Sequence, residues 1–329
     1  MNPRLTGILI CPHCGGEMRE NGGALICSAG HTANIARQGY VSLLGPHSGT
    51  HTADSAAMVA ARERFLGAGH FEPIADAVVA EVRTAIGHDY VAADQARTAE
   101  HRDHLRAAGA RTAGDREGAP PAGARTAGES QGAPAVAPGE EPLLLDLGSG
   151  TGYYLAAGLA SDEQAVGLGI DNSKYAARRA ARCHPRAGAI VADIWDGLPV
   201  RTGAATVVLN VFAPRNGEEI RRVLAPGGTV VVVTPTERHL NELRRPFGMI
   251  SVDPEKRSRL DRSLGPLTGT RESRLVEWRM DLGCEAVADL VAMGPSAGRL
   301  EPSAFQAALR RLPDPAPVSG AVRITIAAG

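Results

Sequence analysis

Three cysteines and one histidine lie close together near the start of the chain. Cys11, Cys14, Cys27 and His31 follow the spacing C-x2-C-x12-C-x3-H. Thiolates and imidazoles are the ligands of structural zinc sites, and four protein ligands complete a tetrahedron. Because no coordination position is left for water, such a site stabilises local structure and does not activate a nucleophile. The pattern therefore predicts one structural Zn²⁺ per chain.

A glycine-rich turn follows an apolar segment in the middle of the chain. The run DLGSGTG occupies 146–152, where a predicted strand ends and a predicted helix begins. Glycines in this position let the backbone approach a ligand at the carboxyl end of a parallel strand. NAD enzymes share such turns, although their usual fingerprint is G-x-G-x-x-G. The expected contacts from this turn are Asp146, Gly148, Gly150, Thr151 and Gly152.

Two further acidic residues end the next two predicted strands. Asp171 closes GLGID and Asp193 closes IVAD. Asp171 is placed to accept hydrogen bonds from both hydroxyls of a ribose. Asp193 is placed for an adenine amino group, with Ile194 beside the ring. Together with the glycine turn, these positions favour S-adenosylmethionine as the cofactor, with NAD as the alternative.

The fourth predicted strand ends in NVFAP, beside the position that a transferred methyl group would occupy. Asn210, Phe212 and Pro214 are therefore the candidate substrate-facing residues. Enzymes that methylate exocyclic amines of bases often carry an Asn/Asp-Pro-Pro-aromatic tetrad here, and NVFAP is not that tetrad. An ordinary exit from strand to loop is the alternative interpretation. No side chain identifies itself as a general base, and backbone carbonyls around 212–213 could serve instead.

These residues need a scaffold that gathers the ends of several strands. From residue 142 apolar strands alternate with helices, which is typical of a parallel, doubly wound α/β sheet. We predict a Rossmann-like class I methyltransferase sheet over 141–329, with antiparallel strands at its end. A small zinc-binding module over 1–45 precedes it. Residues 46–91 are expected to form a helical connector that packs on the catalytic domain.

Residues 92–140 differ in composition from their surroundings. The tetrapeptide ARTA recurs at 96–99, 110–113 and 124–127, and Ala, Gly, Pro and Arg dominate. So few large apolar residues cannot offset the entropy lost on ordering the chain. We expect a disordered low-complexity insertion with no part in the chemistry.

The overall composition limits the classes of partner. The 329 residues carry a formal net charge of −1, so a polyanion would need a local basic patch. Such a patch occurs at 238–274, with nine Lys or Arg against five Asp or Glu, although a solvated helical face is the alternative. Cys183 and Cys284 are isolated, and no apolar run approaches the roughly 20 residues of a membrane span. We expect a cytoplasmic protein with no membrane partner.

Several segments together resemble one known family. The cysteine array, GYVSLL, DSAAMVAARERFLGAGHFEPIADAV, DLGSGTGYY, NVFAPRN and TPTERHLNEL are similar, in this order, to the bacterial 23S rRNA (guanine-N1)-methyltransferases. The resemblance covers nearly the whole chain except the insertion. It implies methylation of guanine N1 in a 23S rRNA hairpin near the peptide exit tunnel. An actinobacterial branch of this family is associated with resistance to tylosin-type macrolides.

The resemblance also implies roles for particular residues and a set of partners. The family's zinc ligands fall on the four residues of the array. Its cofactor contacts fall on Phe71, on Gly150 and Thr151, and on His239. From the residues alone, we would place Phe71 in helix packing and His239 on the surface. The family further implies a homodimer with a shared RNA cleft, and RNA contact by the zinc module together with the basic run.

Two other classes of function stay open from the sequence. One is a small-molecule methyltransferase of a biosynthetic pathway, in which the zinc module only stabilises the fold. The other is a non-catalytic, zinc-containing regulator that binds RNA.

Overall fold

The computed structural model describes residues 2–46, 52–87, 141–249, 265, 271–296 and 301–329. The expected insertion at 92–140 lies outside the described residues, and so does most of the basic run beyond residue 249.

Helices and strands follow the predicted alternation. Within the described ranges, helices α1 to α9 span Pro3–Gly7, Ala56–Gly67, Glu72–Ile86, Tyr153–Ala160, Lys174–Ala180, Gly217–Val223, Asn241–Arg244, Cys284–Ala292 and Pro302–Leu309. Strands β1 to β11 span Met18–Asn21, Ala24–Cys27, Thr32–Asn34, Tyr40–Ser42, Leu143–Leu147, Val166–Asp171, Ala187–Val191, Ala205–Val211, Leu224–Pro235, Arg271–Leu282 and Ala316–Ala328.

The described residues form one eight-stranded mixed sheet in the order β10-β11-β9-β8-β5-β6-β7-β4. The strands from β9 to β4 in this order are parallel, whereas β11 pairs antiparallel with both β9 and β10. Every residue of β5 and β8 is buried, because both faces of the sheet are covered. The predicted doubly wound class I methyltransferase sheet is confirmed.

Alternating side chains of the parallel strands pack into two separate apolar cores, one on each face of the sheet. Leu144 packs in a cluster with α3, α4 and α8 on one face. Leu143 and Leu145 point to the other face and share a cluster with α1, α6 and the cysteine-containing segment. The two layers of helices therefore hold the carboxyl ends of β5 to β8 in fixed relative positions.

The N-terminal segment is built into the catalytic sheet. Strands β1, β2 and β3 form a small antiparallel sheet of their own. Leu9 and Leu25, however, belong to the same apolar cluster as the main sheet, and the N–H of Ile10 donates to the carbonyl of Pro199 at 3.1 Å. Strand β4 pairs in parallel with β7. Residues 40–42, which were expected in the zinc module, are thus an edge strand of the main sheet.

Helices α2 and α3 bring further side chains to the carboxyl edge of the sheet. Ser55 begins α2, because its hydroxyl accepts a hydrogen bond from the N–H of Met58 at 3.2 Å. Helix α2 is tied to α8 by Arg64, whose Nε lies 2.9 Å from Asp289 Oδ2.

Among the described residues, no helix has the length and apolar character needed to cross a membrane.

Candidate functional site

The four predicted zinc ligands converge on one point. The ligand atoms of Cys11, Cys14, Cys27 and His31 all lie within 4.8 Å of one another. The Sγ atoms of Cys14 and Cys27 are 3.6 Å apart, and His31 Nδ1 lies 3.4 Å from Cys27 Sγ. A tetrahedral ion with Zn–S bonds of about 2.3 Å separates its ligand atoms by about 3.5–4 Å. The donor set and its spacing therefore fit Zn²⁺.

Two tight backbone turns aim these ligands inward. In the first, the N–H of Gly15 donates to the carbonyl of Cys11 at 2.8 Å. In the second, the N–H of Gly30 donates to the carbonyl of Cys27 at 2.9 Å. Both glycines have φ near the left-handed region, at +70° and +84°, where a side chain is strained. The two glycines thus allow the tight turns that bring the four ligands together.

The glycine turn between β5 and α4 is tied to the end of β6. The N–H of Gly150 donates to Asp171 Oδ2 at 2.9 Å, and the N–H of Ser173 donates to Asp171 Oδ1 at 2.8 Å. Gly150 has φ of +54°, and a Cβ built there would lie 3.2 Å from Arg62 Nη1. A Cβ on Gly152 would lie 2.7 Å from Cys183 Sγ. The turn therefore requires glycine, because a side chain at position 150 or 152 would meet Arg62 or Cys183.

Several buried polar atoms around this turn lack a protein partner among the described residues. They are Asp146 Oδ2, Ser149 Oγ and the hydroxyl oxygens of Tyr153 and Tyr154. An unpaired buried polar atom costs about 1–3 kcal/mol, so these atoms fit a polar ligand that supplies the missing hydrogen bonds. Burial, together with the nearby charge of Asp171, raises the pKa of Asp146 to about 8. A net positive cofactor such as S-adenosylmethionine suits this acidic, desolvated pocket.

The predicted adenine-binding residues stand at the end of β7. Asp193 is buried, and its Oδ1 accepts a hydrogen bond from the N–H of Trp195 at 3.0 Å. The carbonyl of Ile194 accepts one from Asn216 Nδ2 at 3.3 Å. The structure thus places Asp146, Asp171 and Asp193 at the carboxyl ends of the three adjacent strands β5, β6 and β7.

On the substrate side, Asn210 organises the turn that follows β8. Its side chain is fully buried, and Nδ2 donates to the carbonyls of Leu147 at 3.3 Å and Pro214 at 2.9 Å. Its Oδ1 accepts from Arg215 Nη1 at 3.3 Å. With both polar atoms engaged by the protein, Asn210 positions the turn and does not present its amide to a substrate, contrary to our expectation. Pro214, by contrast, is exposed.

The turn after β8 packs directly against the glycine turn. A Cβ built on Gly148 would lie 2.4 Å from the Cβ of Ala213. Phe212 precedes this contact, and its ring remains 39% exposed. Its φ of +56° is unusual for a residue with a bulky side chain. Backbone strain of this kind is found where function requires a particular side-chain direction.

Phe212 is the outer member of an aromatic cluster. Its ring stacks on His239, with centroids 5.5 Å apart and planes at 28°. Behind them, Phe71 lies 5.7 Å from His239, and Trp278 meets Phe71 edge-on at 5.6 Å. Phe71 is buried, as helix packing required, but His239 is also buried, so its expected surface position was wrong. The N–H of Ala321 donates to His239 Nδ1 at 3.1 Å, which places the proton of the neutral ring on Nε2.

Two arginines at the site were not found from the sequence. Arg62 pairs with Asp54 at 2.5 Å, and its Nη2 donates to the carbonyl of Met293 at 2.9 Å. Arg215 has no acidic partner among the described residues, and burial lowers the pKa of its guanidinium. Arg215 could have been noticed as a cation directly after NVFAP. Arg62 could not, because its position over Gly150 depends on contacts between distant parts of the chain.

The raised pKa of Asp146 predicts a proton release when the cofactor binds. At pH 7 a carboxyl group with a pKa of about 8 is mostly protonated, and a positive ligand favours the carboxylate. Calorimetry in two buffers of different ionisation enthalpy should show release of about one proton. The Asp146→Asn variant should release fewer protons when it binds S-adenosylmethionine. The wild type should also release fewer protons when it binds S-adenosylhomocysteine, because this ligand lacks the sulfonium charge. Equal heats in both buffers would contradict this prediction.

The same shift predicts how the cofactor-free protein responds to pH. Because the folded-state pKa of Asp146 lies above the unfolded-state value, the folded protein loses stability as the pH rises from about 4 to about 8. Asp146→Asn should lack this decline, which thermal unfolding across the pH range would detect. An identical decline in both proteins would show that Asp146 is not its source.

Comparisons with known proteins agree with this arrangement. A family model described as "RlmA, N-terminal" matches residues 9–48, and one described as "Methyltransferase domain" matches residues 145–232. The chain is 41% identical to a Micromonospora griseorubida protein whose name places it among the 23S rRNA (guanine-N(1)-)-methyltransferases, over 98% of both chains. It is 37% identical to the 23S rRNA (guanine(748)-N(1))-methyltransferase of Streptomyces fradiae, over 99% of this chain and 98% of that protein.

A more distant relative is YxjB of Bacillus subtilis, whose name places it in the same class of enzymes. The two proteins are 29% identical, and the match covers 71% of this chain and 67% of the YxjB chain. The matches favour S-adenosylmethionine over NAD as the cofactor, and the N-terminal match agrees with the zinc-ligand cluster. The chain belongs to the 23S rRNA (guanine-N1)-methyltransferase family.

Proposed function

We propose that this enzyme transfers a methyl group from S-adenosylmethionine to N1 of one guanine in a 23S rRNA hairpin near the peptide exit tunnel. The similarity to the Streptomyces fradiae enzyme, named for guanine 748, supports this substrate. The structural observation that carries the proposal is the exposed Phe212 ring beside the glycine turn. An aromatic surface at this position suits an unpaired base.

In this proposal Phe212 holds the target base. A base in a hairpin loop can leave its stack, and base–aromatic stacking contributes about 1–3 kcal/mol. The His239 ring behind Phe212 limits its rotation, and the N–H of Phe212 is fixed by the carbonyl of Val233 at 3.1 Å. The site thus presents a preorganised flat surface, which lowers the entropy cost of positioning N1 for transfer.

The proton on guanine N1 sets the remaining chemical requirement. Bound S-adenosylmethionine supplies a methyl group already activated by its sulfonium. As N1 loses its proton, negative charge spreads onto O6 of the guanine. Arg215 belongs to the substrate-side turn and carries a guanidinium without an acidic partner among the described residues. We assign it the role of stabilising this charge, while the backbone carbonyls near Ala213 would accept a hydrogen bond from N1–H, and the released proton would pass to water.

In this proposal, the zinc module and the catalytic domain have different functions. Residues 1–45 would recognise the RNA, residues 46–91 would form a helical connector that packs on the catalytic domain, and residues 141–329 would carry out the transfer. The family resemblance further supports a homodimer with a shared RNA cleft and a contribution to macrolide resistance. Sedimentation analysis tests the dimer, and drug susceptibility of a strain with and without the gene tests the resistance.

Primer extension on 23S rRNA, with and without the enzyme, tests the reaction itself. N1-methylguanine cannot form its normal base pair, so reverse transcriptase stops one nucleotide before it. We expect one new stop in the exit-tunnel hairpin. An unchanged profile would refute the proposal, and tritium transfer to small molecules instead of RNA would favour the biosynthetic alternative.

Removing the Phe212 ring should separate RNA use from cofactor binding. We expect Phe212→Ala to lower kcat/KM for the hairpin about 10- to 100-fold, which corresponds to the loss of one stacking contact. The Kd of S-adenosylmethionine should stay near the wild-type value, and Phe212→Tyr should restore most of the activity. An equal loss of cofactor affinity in Phe212→Ala would instead place the ring on the cofactor.

Removing one zinc ligand should abolish RNA methylation and leave cofactor binding in place. Cys14→Ser is expected to lose zinc and rRNA methylation while calorimetry still detects S-adenosylmethionine binding. His13→Ala is the matched control, because His13 lies beside His31, with ring centroids 5.2 Å apart, but outside the ligand cluster. Normal methylation by Cys14→Ser would show that the zinc module does not select the RNA.

A further inference from the structure

The segment that follows Asp171 is strongly basic. Residues 172–186 contain five Lys or Arg and no Asp or Glu, in a chain whose net charge is −1. Helix α5 has one buried face and one exposed face. The alanines at 176, 177 and 180 form the face that is buried against the sheet. The exposed side chains of this segment are Lys174, Tyr175, Arg178, Arg179, Arg182 and Pro185. Cations at helical spacing thus form one continuous solvent-facing side.

Part of this positive charge serves the fold. Arg186 donates to the carbonyl of Leu159 at 2.5 Å, and Arg179 pairs with Glu63 at 3.1 Å. In the described part of the chain, no acidic group pairs with Lys174, Arg178 or Arg182. We name the surface formed by Lys174, Tyr175, Arg178 and Arg182 the α5 face.

Helix stability does not account for the α5 face. A cation in the last turn, such as Arg178, interacts favourably with the helix dipole by about 0.3–1 kcal/mol. Lys174 lies in the first turn, where a positive charge opposes the dipole, and Arg182 lies beyond the end of the helix. The helix dipole therefore does not explain the cations at these two positions.

The α5 face extends from the glycine turn to the edge strand β4. At one end, the N–H of Ser173 is bonded to Asp171, so the helix begins beside the glycine turn. At the other end, a Cβ on Gly39 would lie 3.8 Å from the Cβ of Ala181. Tyr40 of β4 packs on the same small apolar cluster as α5. The α5 face therefore begins beside the glycine turn and ends beside the start of the edge strand β4.

Exposed aromatic rings continue this surface along the sheet edge. Tyr175 is 41% exposed and follows β6, Trp195 is 50% exposed and follows β7, and Phe212 follows β8. All three follow the carboxyl ends of adjacent or near-adjacent parallel strands. Alternating rings and cations are what an unpaired RNA strand requires, because bases stack on rings while phosphates pair with cations.

We propose that the α5 face binds backbone phosphates of the substrate hairpin while the hairpin loop reaches Phe212. Tyr175 and Trp195 would stack on nucleotides next to the target guanine. This inference rests on the proposed function, because it takes an RNA hairpin as the substrate.

The test compares two double variants that each remove two positive charges. Arg178→Gln/Arg182→Gln changes the α5 face, and Arg310→Gln/Arg311→Gln changes two exposed arginines just after α9 as the matched control. Hairpin affinity is measured by fluorescence anisotropy over a range of salt concentrations. We expect the α5 variant to bind about 10-fold more weakly, with a salt slope reduced by about 1.4–1.8, as the loss of two phosphate contacts requires. The control should match the wild type.

Cofactor affinity and mapped crosslinks complete the test. Unchanged S-adenosylmethionine binding by the α5 variant would show that it is folded, and photocrosslinks from the loop should map to residues 174–182. Wild-type affinity and slope in the α5 variant, or crosslinks confined to other segments, would overturn the inference. If wild-type enzyme still methylates the hairpin in that case, the proposed function stands. A wild type that neither binds nor methylates the hairpin would overturn both.

Discussion

The buried carboxylate of Asp171 connects the two turns on which the rest of the site depends. One oxygen accepts the N–H of Gly150 at 2.9 Å, and the other accepts the N–H of Ser173 at 2.8 Å. The first bond fixes the shape of the glycine turn, and the second fixes the start of α5. Burial raises the pKa of Asp171 while these two amide bonds oppose that rise. The glycine turn and helix α5 are therefore held by the same carboxylate.

Features determined by short-range pattern were predictable from the sequence. The zinc ligands are recognisable because each turn supplies ligands only a few residues apart. The order of strands and helices from residue 142 follows from their hydrophobic periodicity, and the parallel sheet confirms it. Strand β4 was not predicted as part of that sheet, because three residues are too short to show a period and its partner β7 lies far along the chain.

Features that depend on long-range packing were not predictable from the residues. The aromatic cluster joins Phe71, Phe212, His239 and Trp278 from four separate segments. Resemblance to a family suggested that Phe71 and His239 lie at the cofactor, but it did not connect them with Phe212. The role of Asn210 was also hidden, because a strand-end amide can face a substrate or brace its own turn. Only the hydrogen bonds to Leu147 and Pro214 distinguish these possibilities.

The central claim is that the target guanine lies on Phe212 while the surrounding RNA follows the α5 face. A structure of the enzyme with S-adenosylhomocysteine and the hairpin RNA tests it most directly. We expect the guanine ring to stack on Phe212 with N1 directed at the cofactor sulfur, and loop phosphates to contact Arg178 and Arg182. A guanine bound away from Phe212, with its N1 remote from the sulfur, would contradict the claim.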